Sequence, residues 1–107
     1  MKKEYSFWVY ILTNWKKTVL YIGVTDNLQR RLKQHYANRG RPETFAGRYY
    51  CYNLVYYEWY QFALDAFTRE KELKKMLREQ KEVVISTHNP EWKFFNTFIC
   101  GNWPPVE

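Results

Sequence analysis

The chain has 107 residues, 46% hydrophobic and 21% aromatic, which suits one compact domain with a modest core and leaves no room for a second. Its formal net charge of +6 and sequence pI near 9.3 favour an anionic partner, most simply nucleic acid or an acidic membrane surface. The apolar run Phe7 to Leu12 is too short to span a bilayer and lacks a small-residue cleavage site, so a cytoplasmic protein is expected. Cys51 and Cys100 lie far apart, with no CxxC and no neighbouring His pair. That argues against a disulfide scaffold or a zinc site and for two reduced thiols. Ten Tyr and five Trp exceed what such a core needs, so part of the aromatic set is expected at the surface.

Residues 7–13, FWVYILT, are nearly all apolar and rich in β-branched and aromatic types, the pattern of a strand covered on both faces. After Asn14-Trp15-Lys16-Lys17 comes a second such run, residues 18–23, TVLYIG. So short a polar link predicts an antiparallel hairpin. A turn centred on 14–17 sets Thr13 opposite Thr18 and Tyr10 opposite Tyr21. The two tyrosines then share a sheet face, and spacing alone leaves open whether they form a structural cross-strand pair or a functional one.

Gly23 ends the predicted strand, and either Thr25 or Asp26 caps the next helix, Asp26 having Gln29 three residues on. That helix is predicted over about 27–37, with Leu28, Leu32 and Tyr36 as its core stripe and Arg31 and His35 as a second row one turn apart. Arg30, Lys33 and Gln34 point toward solvent. Residues 37–51, ANRGRPETFAGRYYC, read as a long loop. Its Arg39, Arg41, Arg48 and Tyr49 suit phosphate contact and base stacking, and suit an ordinary solvated connection equally.

A third strand fits residues 52–60, and a helix is predicted from Phe62 to about Gln80. Ala63, Ala66, Phe67, Leu73 and Leu77 make its buried stripe, with Glu70 in the slot where an apolar residue belongs. A buried carboxylate must rotate outward, pair with a base such as Lys74, or hold a metal ion. Residues 78–87 continue this helix or form a short one of their own. Asn89-Pro90 reads as a helix cap followed by Pro in the first turn. Phe94, Phe95 and Phe98 are expected to pack onto the sheet, and residues 97–107 to form an extended tail.

Phosphodiester hydrolysis needs an acceptor for the proton of the attacking water, a cation near the scissile phosphate, and usually an acidic ligand for a divalent metal. Two tyrosines on one hairpin, an Arg and a His one helical turn apart, and a carboxylate on a core stripe supply each role.

In order and spacing these residues resemble the GIY-YIG endonucleases, particularly the small single-domain bacterial proteins of that superfamily. The motif halves read Trp8-Val9-Tyr10 and Tyr21-Ile22-Gly23. The likeness continues through Thr25, Asp26, Leu28, Arg31 and His35, then Leu54 to Glu58, Arg69-Glu70-Lys71 and Asn89-Pro90-Glu91-Trp92, covering roughly residues 7–96. Trp8 and Val9 depart from the Gly and Ile of the family name, which bears mainly on strand packing.

The resemblance implies an α/β (α+β) fold, a small three-stranded, mainly antiparallel sheet flanked by helices, as a single domain over residues 1–107. It implies Glu70 as ligand of a divalent metal, Mg²⁺ or Mn²⁺, and Tyr10 as first choice for the general base, with Tyr21 positioning water or phosphate. Arg31 would stabilise charge on the phosphate, and His35 matches a supporting position. Asn89 is the choice for the family's late Asn, against Asn96, and is equally explained as a helix cap. Gly23, Arg30, Lys33, Arg39, Arg41, Arg48 and Tyr49 are the candidate nucleic-acid contacts.

The function expected is metal-dependent DNA cleavage, either structure-selective or in repair or recombination, with a partner protein supplying the target. The alternative is a nucleic-acid-binding module without cleavage, for which Glu70 is dispensable.

Overall fold

Phe7–Thr13 (β1), Leu20–Thr25 (β2) and Asn53–Tyr60 (β3) form a three-stranded antiparallel sheet in the order β2-β1-β3. The computed structural model describes residues 5–106; residues 1–4 and 107, part of the expected single domain, lie outside the described residues. The central place of β1 explains its unbroken apolar run, because both of its faces are covered. Val9 and Ile11 point to one side, against Ala66, Leu73 and Ile85. Tyr10 and Leu12 point to the other, against Leu28, Leu32 and Leu54. Each fully buried Leu or Ile there contributes about 1.5–3 kcal/mol. The fold is therefore α+β, with helices on both faces of one small sheet.

The hairpin register differs from the sequence expectation. Thr13 pairs with Leu20 rather than Thr18, and Tyr10 with Gly23 rather than Tyr21. Asn14 causes the longer loop: its Oδ1 accepts the N–H groups of Thr18 and Val19 at 2.9 and 3.1 Å, while Thr13 Oγ1 donates to the Val19 carbonyl at 2.7 Å. A slip of two residues preserves the faces, so Tyr21 stays on the Tyr10 side as a diagonal neighbour. The strand also runs through Gly23 to Thr25 instead of ending there.

Leu28–Ala37 (α1) is capped by Asn27, not by Thr25 or Asp26; the Asn27 side chain accepts from Arg30 N at 2.9 Å. Within the expected loop, Thr44 caps a single helical turn, Phe45–Arg48 (α2). The helix expected over 62–80 is two, Ala63–Lys75 (α3) and Arg78–His88 (α4), broken at Met76 and Leu77 without Gly or Pro. Tertiary bonds hold the break: the Arg78 guanidinium donates to the carbonyls of Lys17 and Thr18 at 3.1 Å, and Gln80 Oε1 accepts Leu77 N–H at 2.8 Å. Leu77, at the break, is exposed, and Phe67 within α3 is half exposed. Asn96–Cys100 (α5) and Trp103 pack back on α1, Gln29 Nε2 donating to Ile99 O at 2.9 Å and Trp103 lying edge-on to Tyr36. The expected tail is thus part of the packing; of the three phenylalanines expected on the sheet, Phe95 packs partly buried against the core, while Phe94 and Phe98 are exposed. Among the described residues no helix is long and apolar enough to cross a membrane.

Two buried asparagines clamp β3 where its register against β1 shifts between Ile11 and Leu12. Asn96 accepts Leu54 N–H and donates to Tyr52 O, both at 2.8 Å, and Asn89 donates to Val55 O at 2.9 Å. Asn96→Ala would strand two buried backbone groups, so it should cost about 2–4 kcal/mol in urea unfolding, whereas Thr97→Ala beside it should change stability by less than about 0.5 kcal/mol.

Candidate active site

The site is built around an absence of side chain. Gly23 lies opposite Tyr10, and a Cβ placed on it would fall 2.5 Å from Tyr10 Oη and 2.6 Å from Cζ. Only glycine lets the Tyr10 ring lie over β2, so its hydroxyl reaches the edge strand instead of stopping in the sheet centre. Gly23 was a candidate nucleic-acid contact, and its buried place under the ring gives it a packing role.

Three rings meet there. Tyr10 and Tyr21 have centroids 6.3 Å apart, Tyr10 and His35 5.7 Å, and Tyr21 and His35 5.3 Å. Tyr10 Oη lies 2.9 Å from His35 Nε2. Burial, then Tyr21, holds the Tyr10 phenol well above its ordinary value, with Arg31 opposing and Glu70 adding to the rise. Burial and the Arg31 cation together push His35 down to about 4. His35 is therefore neutral at pH 7, and the tautomer with its proton on Nδ1 is the one that lets Nε2 accept from the Tyr10 hydroxyl. Burial of the Tyr10 phenol disfavours its free phenolate.

Arg31 and Glu70 both lie near enough to act on the charge of Tyr10, Arg31 lowering and Glu70 raising its pKa. Arg31 stands one turn before His35 on α1; Glu70 comes from α3, on the opposite face of the sheet. The rotation of α3 is set by its neighbour Arg69, whose Nε donates to both oxygens of Glu58 at 3.1 Å and whose Nη1 reaches Glu72 at 3.1 Å. Glu58 also accepts from Tyr56 and Tyr60. Fixing Arg69 on β3 turns Glu70, about 100° further round the helix, away from that network. A cleft of about 840 Å³ opens over the Glu58 network, lined also by Trp59 and His88, and the Tyr10 cluster is not part of it. The sequence reading included Glu58 and Arg69 in its likeness but assigned them no role.

Glu70 is 18% exposed and pairs with Lys74 at 3.3 Å. Among the described residues no three His, Cys, Asp or Glu side chains cluster to hold a metal. A lone carboxylate beside two tyrosines and an Arg suits Mg²⁺ or Mn²⁺, which take one or two carboxylates and complete their shell with water and phosphate oxygens. The residues present fit such an ion.

The remaining candidates spread outward. Asn89 is not drawn into the cluster: it is the C-cap of α4 rather than an N-cap, and its amide is engaged by Val55 O, Lys93 O and Lys93 N on the β3 side. Arg30 pairs with Asp26 at 3.0 Å. Arg39 stacks on Tyr36 at 3.8 Å and donates to its carbonyl. Lys33 and Arg41 are exposed, as is Arg48, which donates to Pro42 O. Tyr49 lies exposed against Phe45.

The depressed His35 makes a measurable difference to stability. Between about pH 6.5 and 4 the unfolded chain protonates this ring and the folded chain does not. Its contribution is therefore complete above pH 6.5 and is lost as pH falls toward 4. His35→Gln should flatten that part of the stability profile relative to wild type in urea unfolding.

The GIY-YIG catalytic domain family matches residues 6–83. A UPF0213 protein of Clostridium perfringens is 38% identical over 80 residues, 75% of this chain and 83% of its own. UPF0213 proteins of Streptococcus pyogenes are 38% identical over 94 residues, 86% of this chain and 95% of theirs. The solution NMR structure of the UPF0213 protein BH0048 from Bacillus halodurans superposes with a TM-score of 0.53 at 26% identity, covering 89% of this chain and 98% of that one. With Tyr10, Tyr21 and Gly23 at the centre of its site, this chain belongs to the GIY-YIG catalytic domain family.

Proposed function

We propose that the protein is a metal-dependent endonuclease that hydrolyses DNA phosphodiester bonds in the cytoplasm. One observation carries this reading: Tyr10, Tyr21 and His35 meet where the Tyr10 hydroxyl crosses Gly23, and Arg31 and Glu70 lie near enough to act on the charge of Tyr10. A sheet needs no Arg and carboxylate at such a point to hold together.

In this reading Glu70 holds the divalent ion, whose chemistry is to neutralise phosphate charge and acidify water. Arg31 offsets the charge that builds on the phosphoryl oxygens. Tyr10 takes the proton of the attacking water as it passes its own to His35 Nε2, so that no free phenolate is needed. With a pKa of about 4, His35 is a weak acceptor that holds this proton only transiently before solvent takes it. Tyr21, half-buried beside both rings, orients water or phosphate. Lys33, Arg41, Arg48 and Tyr49 supply the wider DNA contact, and a partner protein supplies target choice in repair or recombination.

The Lys74 ion pair favours a second reading, in which Glu70 is merely a paired surface acid and the chain binds nucleic acid without cutting it. Purified protein incubated with duplex, single-stranded, flapped and branched DNA separates the two. With Mg²⁺ or Mn²⁺, and not with EDTA, wild type should yield nicked or cleaved product. Arg31→Ala and Glu70→Gln should lose about 10²–10³-fold in rate while binding DNA within a few-fold of wild type. Absence of any metal-dependent product, or undiminished cutting by either variant, would overturn the nuclease reading.

A further inference from the structure

The β1–β2 turn holds a feature that the hydrolytic site leaves unused. Trp15 is 74% exposed at its tip, flanked by Lys16 and Lys17, which are also exposed. An exposed ring alone is ordinary surface. This one is carried on a turn that is fastened from several directions. Asn14 Oδ1 accepts two backbone N–H groups, its Nδ2 donates to Thr18 Oγ1 at 2.8 Å, and Lys17 N–H closes on Asn14 O at 3.0 Å. From α4, Arg78 grips the carbonyls of Lys17 and Thr18, itself held by Glu82 at 2.8 Å. Lys17 sits at φ 61°, a left-handed conformation that a lysine adopts at a cost, and its ammonium lies 5.3 Å from the Phe94 ring centre. Such bracing keeps Trp15 presented rather than free to fold down onto the protein.

The turn begins just past Leu12, the pairing partner of Tyr21, and the three residues of chain from Leu12 to Trp15 span at most about 11 Å. The loop 14–19 carries two cations and no acid, so an anionic strand is attracted to it and an apolar or basic partner is not. We propose that Trp15 is a stacking platform for an unstacked base of single-stranded DNA, with Lys16 and Lys17 holding the flanking phosphates, a few nucleotides from the bond the site would cut. This deepens the nuclease reading and rests on it for the position of the cut, but the binding itself needs neither metal nor turnover. An aromatic platform followed by two cations takes any base, because every base has a π-face, so the preference is for unpaired over paired strand rather than for sequence.

The test measures anisotropy of a labelled single-stranded oligonucleotide and of a blunt duplex, in EDTA at one fixed salt concentration, with Glu70→Gln as a non-cutting reference. Trp15→Ala should weaken single-strand binding roughly 5- to 100-fold and leave the duplex within about twofold, and Trp15→Phe should recover most of the loss. Lys16→Gln with Lys17→Gln should weaken both substrates and flatten their salt dependence. Circular dichroism of Trp15→Ala should match wild type, since the ring packs against nothing in the core. The proposal is overturned if Trp15→Ala binds single strands as wild type does, or loses single strand and duplex alike. It is also overturned if sedimentation shows that wild type self-associates through Trp15. If wild type cuts nothing yet Trp15→Ala still loses single strands selectively, the nuclease reading fails and the stacking platform stands.

Discussion

The architecture turns on one close approach, the Tyr10 ring lying over Gly23. Any side chain at 23 would occupy the space of the phenol, because Tyr10 is itself 1% exposed and packed from all sides by Leu28, Leu32 and their neighbours. The hydroxyl therefore emerges at the edge strand, where it meets His35 from α1. Had β2 carried a side chain there, the ring would be forced off its rotamer or out of the core, at a cost of order 1–3 kcal/mol. The glycine is thus a packing requirement that creates a chemical position.

From that position the two faces of the sheet acquire different tasks. The α1 face supplies Tyr21, Arg31 and His35, all on elements joined by the short Asp26-Asn27 link, so their mutual placement follows from one strand and one helix. The α3 face supplies Glu70 alone, and its aim depends on a separate network in which Glu58 grips Arg69. Strong pairing of Arg69 holds the Glu58 carboxyl below its ordinary range despite burial, which keeps the clamp charged under ordinary conditions. The Glu58 clamp on one side of α3 and the placement of Glu70 away from it are consequences of the same helix rotation.

Much of this was legible in the chain itself, for reasons that can be named. The unbroken apolar run of β1 reports a strand buried on both faces, and the Leu28-Leu32 stripe with Arg31 and His35 beside it reports the buried face of α1 and the row that carries His35 to Tyr10. Period two protects facing relations against register error, which is why Tyr21 stayed beside Tyr10 although the loop was misjudged. What escaped were features settled by distant contacts. The break before α4 has no Gly or Pro to announce it, being held by Arg78 on carbonyls some sixty residues earlier in the chain. The buried amides of Asn89 and Asn96 look in sequence like turn residues, because nothing local reveals that they close the bulged part of β3. Phe67 and Leu77 matched a helical stripe but are exposed, Leu77 at the break itself.

The central claim is that Glu70 brings a divalent ion to the hydroxyls of Tyr10 and Tyr21 beside Arg31. Paramagnetic broadening by Mn²⁺ in NMR spectra of the assigned protein tests this directly and needs no substrate. Signals of Tyr10, Tyr21, Arg31 and Glu70 should broaden first, and Glu70→Gln should abolish that pattern. Broadening centred on Asp65 and Glu72 in the Glu58 cleft, or a pattern at Tyr10 that survives Glu70→Gln, would contradict it.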